Sequence, residues 1–149
     1  MDAASWDWTE FWLFVQRIGA AYVLALPLGL EGEQEAHSVG IRTFPIVAMA
    51  SCGYVLAAKA TGSDDAAMSR VMQGLITGIG FVGGGAILKE GLNVRGTAAA
   101  ASIWNTGAIG AAVAVGRYEI AVVLSVFNFL TLRVLLPLKN RLSGEQKSK

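Results

Sequence analysis

Residues 97–115 read TAAAASIWNTGAIGAAVAV and contain no charged side chain. Small and aliphatic residues fill the stretch, and Ser102, Asn105 and Thr106 are scattered among them. A soluble helix needs a polar stripe at helical spacing, and these three residues do not make one. Four more apolar runs flank this one: Phe11–Leu30, broken by Gln16 and Arg17; Thr43–Ala60, with Lys59 near its end; Val71–Leu88; and Ile120–Leu138, interrupted at Arg133. Runs of about 18–20 residues make helices of roughly 27–30 Å, the hydrocarbon thickness of a bilayer. The pattern predicts an all-α membrane protein: a single domain of five transmembrane helices at about 11–30, 43–60, 71–88, 97–115 and 120–138.

Composition agrees with that class. Of 149 residues, 54% are hydrophobic and only 15% are charged, and the mean hydropathy is +0.51. Soluble domains carry about 25% charged residues, so the charge deficit argues against an ordinary soluble enzyme and against a disordered chain. The 12 basic and 11 acidic residues nearly cancel, leaving no broad positive field for nucleic acid. One Cys and one His exclude an internal disulfide, a Cys-based zinc cluster and a multi-histidine metal site.

Charge also orients the spans. Asp2, Asp7 and Glu10 precede the first run where a cleavable signal peptide needs basic residues, so that helix is expected to stay. With the C-terminus inside, Arg42, Lys89, Arg95, Lys139, Arg141, Lys147 and Lys149 lie inside, against Lys59, Arg70 and Arg117 outside. The positive-inside rule favours this arrangement, with the N-terminus periplasmic and Trp6, Trp8 and Trp12 at the outer interface. The connections are short, so consecutive helices should lie antiparallel and adjacent.

Glycine marks the candidate contact surfaces. Gly74 and Gly78, and then Gly80 and Gly84, stand at small-xxx-small spacing, which lets helix backbones approach closely. The third and fourth helices are expected to pack tightly. Gly83, Gly84 and Gly85 leave two readings open: close packing, or a break near the inner end of the third helix whose freed carbonyls line a cavity or hold an ion. No lysine and hydroxyl residue follow at phosphate-loop spacing.

Polar groups in the apolar runs are candidate sites. Arg17 and Arg133 are both read as snorkelling to an interface; for Arg17 the alternative is a partner inside, an acid or the carbonyl ends of a broken helix. Glu31, Glu33, Glu35 and His37 follow the first run, and hard cations such as Mg²⁺ suit clustered carboxylates. A solvated salt-bridge network is the plainer alternative. Glu31 sits at a helix C-terminus, where an acid opposes the macrodipole, and Arg42 and Arg95 are its candidate partners. Asn105 should face the bundle, either in an interhelical hydrogen bond or in a buried polar site. Cys52 is read as packing. No nucleophile–base constellation is present, so an enzyme is not expected.

The stretch Gly78–Gly96, GIGFVGGGAILKEGLNVRG, resembles the MgtC/SapB family of bacterial inner-membrane proteins. The resemblance continues through the alanine-rich Thr97–Gly110 and through the upstream elements Gly29-Leu-Glu31 and Gly40-Ile-Arg-Thr43. Arg17 and Arg70 also sit where such proteins often have arginine. The resemblance implies five transmembrane helices with a cytoplasmic C-terminus. It further implies a link to magnesium limitation, acid stress or virulence, and regulation of other membrane machinery, notably the ATP synthase. No bound cofactor is implied beyond Mg²⁺ as a candidate ion. Gly32 departs from the family pattern, standing where a Glu-Arg-Glu element has arginine. Many relatives carry a soluble C-terminal domain that this sequence does not show. Two functions follow as expectations: a regulator that binds another membrane protein through helix faces, or an Mg²⁺ carrier or channel. Small-residue surfaces also fit a homodimer.

Overall fold

The computed structural model describes residues 7–32, 41–90 and 93–146, with side chains described as far as Leu135 except at 32, 88, 90 and 93. The described residues form five helices: α1 (Trp8–Gly32), α2 (Thr43–Ala60), α3 (Asp65–Gly85), α4 (Thr97–Ala114) and α5 (Tyr118–Gln146). Between α3 and α4 lies an antiparallel ribbon of β1 (Leu88–Glu90) and β2 (Asn93–Arg95), in the register Leu88 to Arg95, Lys89 to Val94 and Glu90 to Asn93. The sequence had offered a plain loop there.

Helix ends follow local chemistry. α3 begins before the apolar run, because the Asp64 carboxylate accepts the Ala67 N–H at 2.7 Å and satisfies an orphan donor of the first turn. It ends at Gly85, short of Leu88. Each glycine in a helix costs about 1 kcal/mol relative to alanine, so three in succession favour termination. The three glycines are therefore the last residues of α3, at the end expected to lie inside. The amides of Ala86 and Ile87 then donate to Gly83 and Gly84 carbonyls, at 3.0 and 3.1 Å. Gly96 opens α4 with φ of +83°, and a Cβ there would strike the Ala86 carbonyl; only glycine meets both demands.

Three helices, α1, α2 and α5, are long and apolar enough to cross a membrane. α3 falls short because its first half carries Asp65, Arg70 and Gln73. α4, the charge-free stretch, has its hydropathy lowered by Asn105, by its hydroxyl residues and by glycine, and its place explains why it tolerates them. It is the centre of the bundle, packed against α1, α2, α3 and α5. Ile103, Thr106, Ile109 and Val113 are fully buried, alongside Leu28 of α1 and Phe44 and Val55 of α2. Between apolar helices in lipid, close van der Waals fit supplies the association energy, and small residues permit it.

The tightest approach is α2 to α4. A Cβ on Gly110 would fall on the Ala48 carbonyl oxygen and come within 2.9 Å of Ser51 Cβ. α3 docks through different residues: Ile79 inserts its side chain at Gly107, and Gly83 lies against Ala100, where a Cβ would stand 3.0 Å from the carbonyl oxygen. Gly74, Gly78, Gly80, Gly84 and Gly85 have open space beside them. The expected α3–α4 seam thus rests on Gly83 and Gly107, while the Gly74/Gly78 and Gly80/Gly84 pairs face away from the core.

Candidate functional site

Helices α1, α4 and α5 enclose a chain of polar contacts running from one end of the bundle to the other. At the first end lies Arg17. The last carbonyls of α4 have no partner within the helix and form the negative end of its dipole. Arg17 Nη1 donates to one of them, Ala114 O, at 2.7 Å. The arginine turns inward to a helix end and does not simply snorkel. Its Nε is buried without a hydrogen-bond partner among the described residues.

One level deeper, Ser125 Oγ donates to Leu24 O at 2.6 Å, tying α5 to α1. Asn105 Nδ2 donates to Leu124 O at 3.3 Å, and Ser102 Oγ donates to Asn128 Oδ1 at 2.9 Å. Thr106 Oγ1 is satisfied within α4 by Ser102 O. Asn128 Nδ2 is buried and has no partner among the described residues. Asn105 therefore faces the α4–α5 seam, as an interhelical bond requires.

The far end is an ion pair. Glu31 Oε1 accepts from Arg133 Nη1 at 2.6 Å, with the Glu31 side chain 11% exposed and Arg133 62% exposed. Arg133 fills the compensating role that the sequence had offered to Arg42 and Arg95. Arg42 instead stands at the start of α2 and Arg95 at the end of β2, both exposed at the same end of the bundle. Glu33, Glu35 and His37 lie outside the described residues. Among the described residues, no three His, Cys, Asp or Glu side chains gather to hold a metal ion. Along α5, the polar contacts from Leu124 to Arg133 span about 14 Å at 1.5 Å per residue. Ser125, Asn128 and Arg133 are members that sequence reasoning missed or read as interfacial; their partners lie 26 to 102 residues away.

The outside of the bundle carries two surfaces. Between α2 and α3 runs an apolar groove of about 710 Å³, bounded by Thr43, Ala50 and Tyr54 on one wall and Val71, Gly78 and Val82 on the other. On the far side of α3, Gln73, Thr77, Gly80 and Gly84 are all exposed and recur at i, i+4, i+7 and i+11, forming one face.

The model of the MgtC family matches residues 18–141, most of the chain. The chain belongs to the MgtC family. Its relatives include the uncharacterized protein slr0014 of Synechocystis, 34% identical over 132 residues, which are 89% of this chain and 55% of that protein. YhiD of Escherichia coli K12, whose name assigns it provisionally to magnesium transport, is 32% identical over 139 residues, covering 89% of this chain and 65% of YhiD. Protein MgtC of Salmonella typhimurium is 30% identical over 113 residues, 76% of this chain and 48% of that protein. This MgtC-family chain thus spans about half to two thirds of the length of those relatives. No solved structure matches it. Family membership and the three long apolar helices make it a membrane protein.

Proposed function

We propose that this chain is a non-enzymatic bacterial inner-membrane protein that regulates another membrane protein by lateral contact, in the setting of magnesium homeostasis. All five helices cross the bilayer in this reading, with the N-terminus periplasmic and the C-terminus cytoplasmic. Seven basic residues on the C-terminal side against three on the other support that orientation. The observation that carries the regulatory reading is the outer face of α3. Gln73 faces outward, beside Thr77, whose hydroxyl donates to the Gln73 carbonyl within α3, and Gly80 and Gly84 leave room for a partner backbone. Polar groups turned toward lipid are costly, and a partner helix that hydrogen-bonds Gln73 and packs on the glycines relieves that cost. The ATP synthase is the first partner to test on the family resemblance, which also carries the link to virulence. Self-association through the same face is the second.

The experiment is crosslinked pull-down of the full chain from native membranes in mild detergent. A stoichiometric membrane partner that is lost in Gly80→Leu and Gly84→Leu, but kept in Arg117→Gln, supports the reading. Its absence counts against it.

A second reading, an Mg²⁺ carrier, draws on the polar contacts between Arg17 and Glu31 and on the name of the relative YhiD. Liposomes containing the purified chain would take up Mg²⁺ above empty liposomes, and Glu31→Gln or Asn105→Leu would reduce that uptake. No flux sinks this reading.

A further inference from the structure

The α2–α3 groove differs from an ordinary seam between helices in depth and in charge. Its α2 wall runs from Thr43 to Tyr54, a rise of roughly 16 Å at 1.5 Å per residue. That is about half of a 30 Å hydrocarbon core, the depth of one leaflet. Its walls are apolar, and Gly74 and Gly78 keep it open, since neither has anything beside it where a Cβ would stand. The volume of about 710 Å³ lies within the roughly 300–1,000 Å³ of small-molecule sites.

The two ends of the groove are unlike. At the Thr43 end α2 begins, and no side chain among the described residues caps its first turn. Pro45 has no N–H to satisfy, and no acid lies in that turn. Phe44 and Pro45 are buried and the Ile46 N–H already donates to the Arg42 carbonyl, so the positive charge offered at this end is that of side chains. Arg42 stands there, exposed, and pairs with no acid among the described residues. Lys89 and Arg95 are exposed at the same end of the bundle. The opposing dipole end, the C-terminus of α3, is muted because Ala86 and Ile87 already donate to its carbonyls.

We propose that this groove binds one anionic phospholipid from the leaflet on the Thr43 side. An acyl chain lies along Ala50, Gly74 and Gly78, and the headgroup phosphate rests at the Arg42 guanidinium. An apolar trough one leaflet deep selects an acyl chain, and a cationic mouth selects the negative headgroup. The site lies on a different face of α3 from Gly80 and Gly84, so it stands or falls independently of the partner contact proposed above.

Native mass spectrometry of the full chain, released from mild detergent after incubation with either phosphatidylglycerol or phosphatidylcholine, tests this. The expected result is a one-to-one phosphatidylglycerol adduct retained about fivefold more than phosphatidylcholine, in line with the attraction of one basic residue for an anionic lipid. Arg42→Gln should equalise the two lipids. Gly78→Leu should remove both adducts by filling the trough. Ala50→Leu fills it from the other wall, and helix content by circular dichroism shows which variant is folded. Equal retention of the two lipids by the unmodified chain overturns the proposal. So do undiminished adducts in both folded leucine variants, and so does a dimer that turns monomeric in those variants while lipid adducts persist, because the groove then holds a second copy.

Discussion

Adding one methyl group at Gly110 should weaken the bundle more than adding it at any exposed glycine. In Gly110→Ala the new Cβ meets backbone, the Ala48 carbonyl, and also stands 2.9 Å from Ser51 Cβ. Non-bonded carbon atoms settle at about 3.5–4.0 Å. Neither neighbour is the end of a flexible chain, so α2 and α4 must move apart along their closest contact. Overpacking of a tight core costs about 1–3 kcal/mol, and a backbone obstacle puts Gly110→Ala at the upper end, about 3 kcal/mol. Gly107→Ala meets the Ile79 side chain alone, worst at its Cδ1 tip, which can change rotamer, and should cost about 1 kcal/mol. Gly74→Ala meets nothing and gains helix propensity, so it should be neutral or stabilising by up to about 1 kcal/mol. Unfolding of the purified protein by sodium dodecyl sulfate in mixed micelles, followed by tryptophan fluorescence, measures all three. Equal losses at Gly110 and Gly74 would refute the placement of α4 at the centre.

Further expectations concern the polar contacts. Arg17→Met should destabilise by about 1 kcal/mol in the same titration, because a charged hydrogen bond to Ala114 O is lost while a buried, unpartnered Nε is relieved; an unchanged midpoint would contradict the inward placement. A double-mutant cycle of Glu31→Gln and Arg133→Gln should give a coupling of about 0.5 kcal/mol that shrinks with salt, since Arg133 is largely exposed; zero coupling at low salt removes the pair. Ser102→Ala should cost about 1 kcal/mol by leaving the Asn128 carboxamide without its donor, and Asn128→Leu in that background should add little.

The apolar runs announced helices because their lengths match a bilayer and their charges fall between them. α4 also announced its packing role through its small residues. What the runs could not carry was azimuth. The spacing of Gly74 and Gly78 is as suitable for a seam as that of Gly107 and Gly110, yet only the second pair meets neighbouring helices, because rotation about the axis is set by the whole bundle. Glu31 shows the same limit for charge. Arg42 and Arg95 looked like its partners because they share its membrane face, whereas Arg133 sits directly across the α1–α5 contact. Arg17 finds a carbonyl oxygen, a group every residue owns, so its partner had no sequence signature. The ribbon at 88–95 had only a faint one: Gly91-Leu92 stands at the spacing of a two-residue hairpin, but of the flanking residues Leu88–Glu90 and Asn93–Arg95 only Val94 favours a strand.

Residue-by-residue labelling of the membrane-embedded chain bears most directly on the five-span architecture. In a Cys52→Ser background, single cysteines at Ser63, Lys89, Arg117 and Lys147 are exposed to a membrane-impermeant maleimide on intact cells. The account predicts that Ser63→Cys and Arg117→Cys react from the periplasm, and that Lys89→Cys and Lys147→Cys react only after permeabilisation. Reaction of Lys89→Cys together with Ser63→Cys on intact cells would mean that α3 does not cross, and would contradict it.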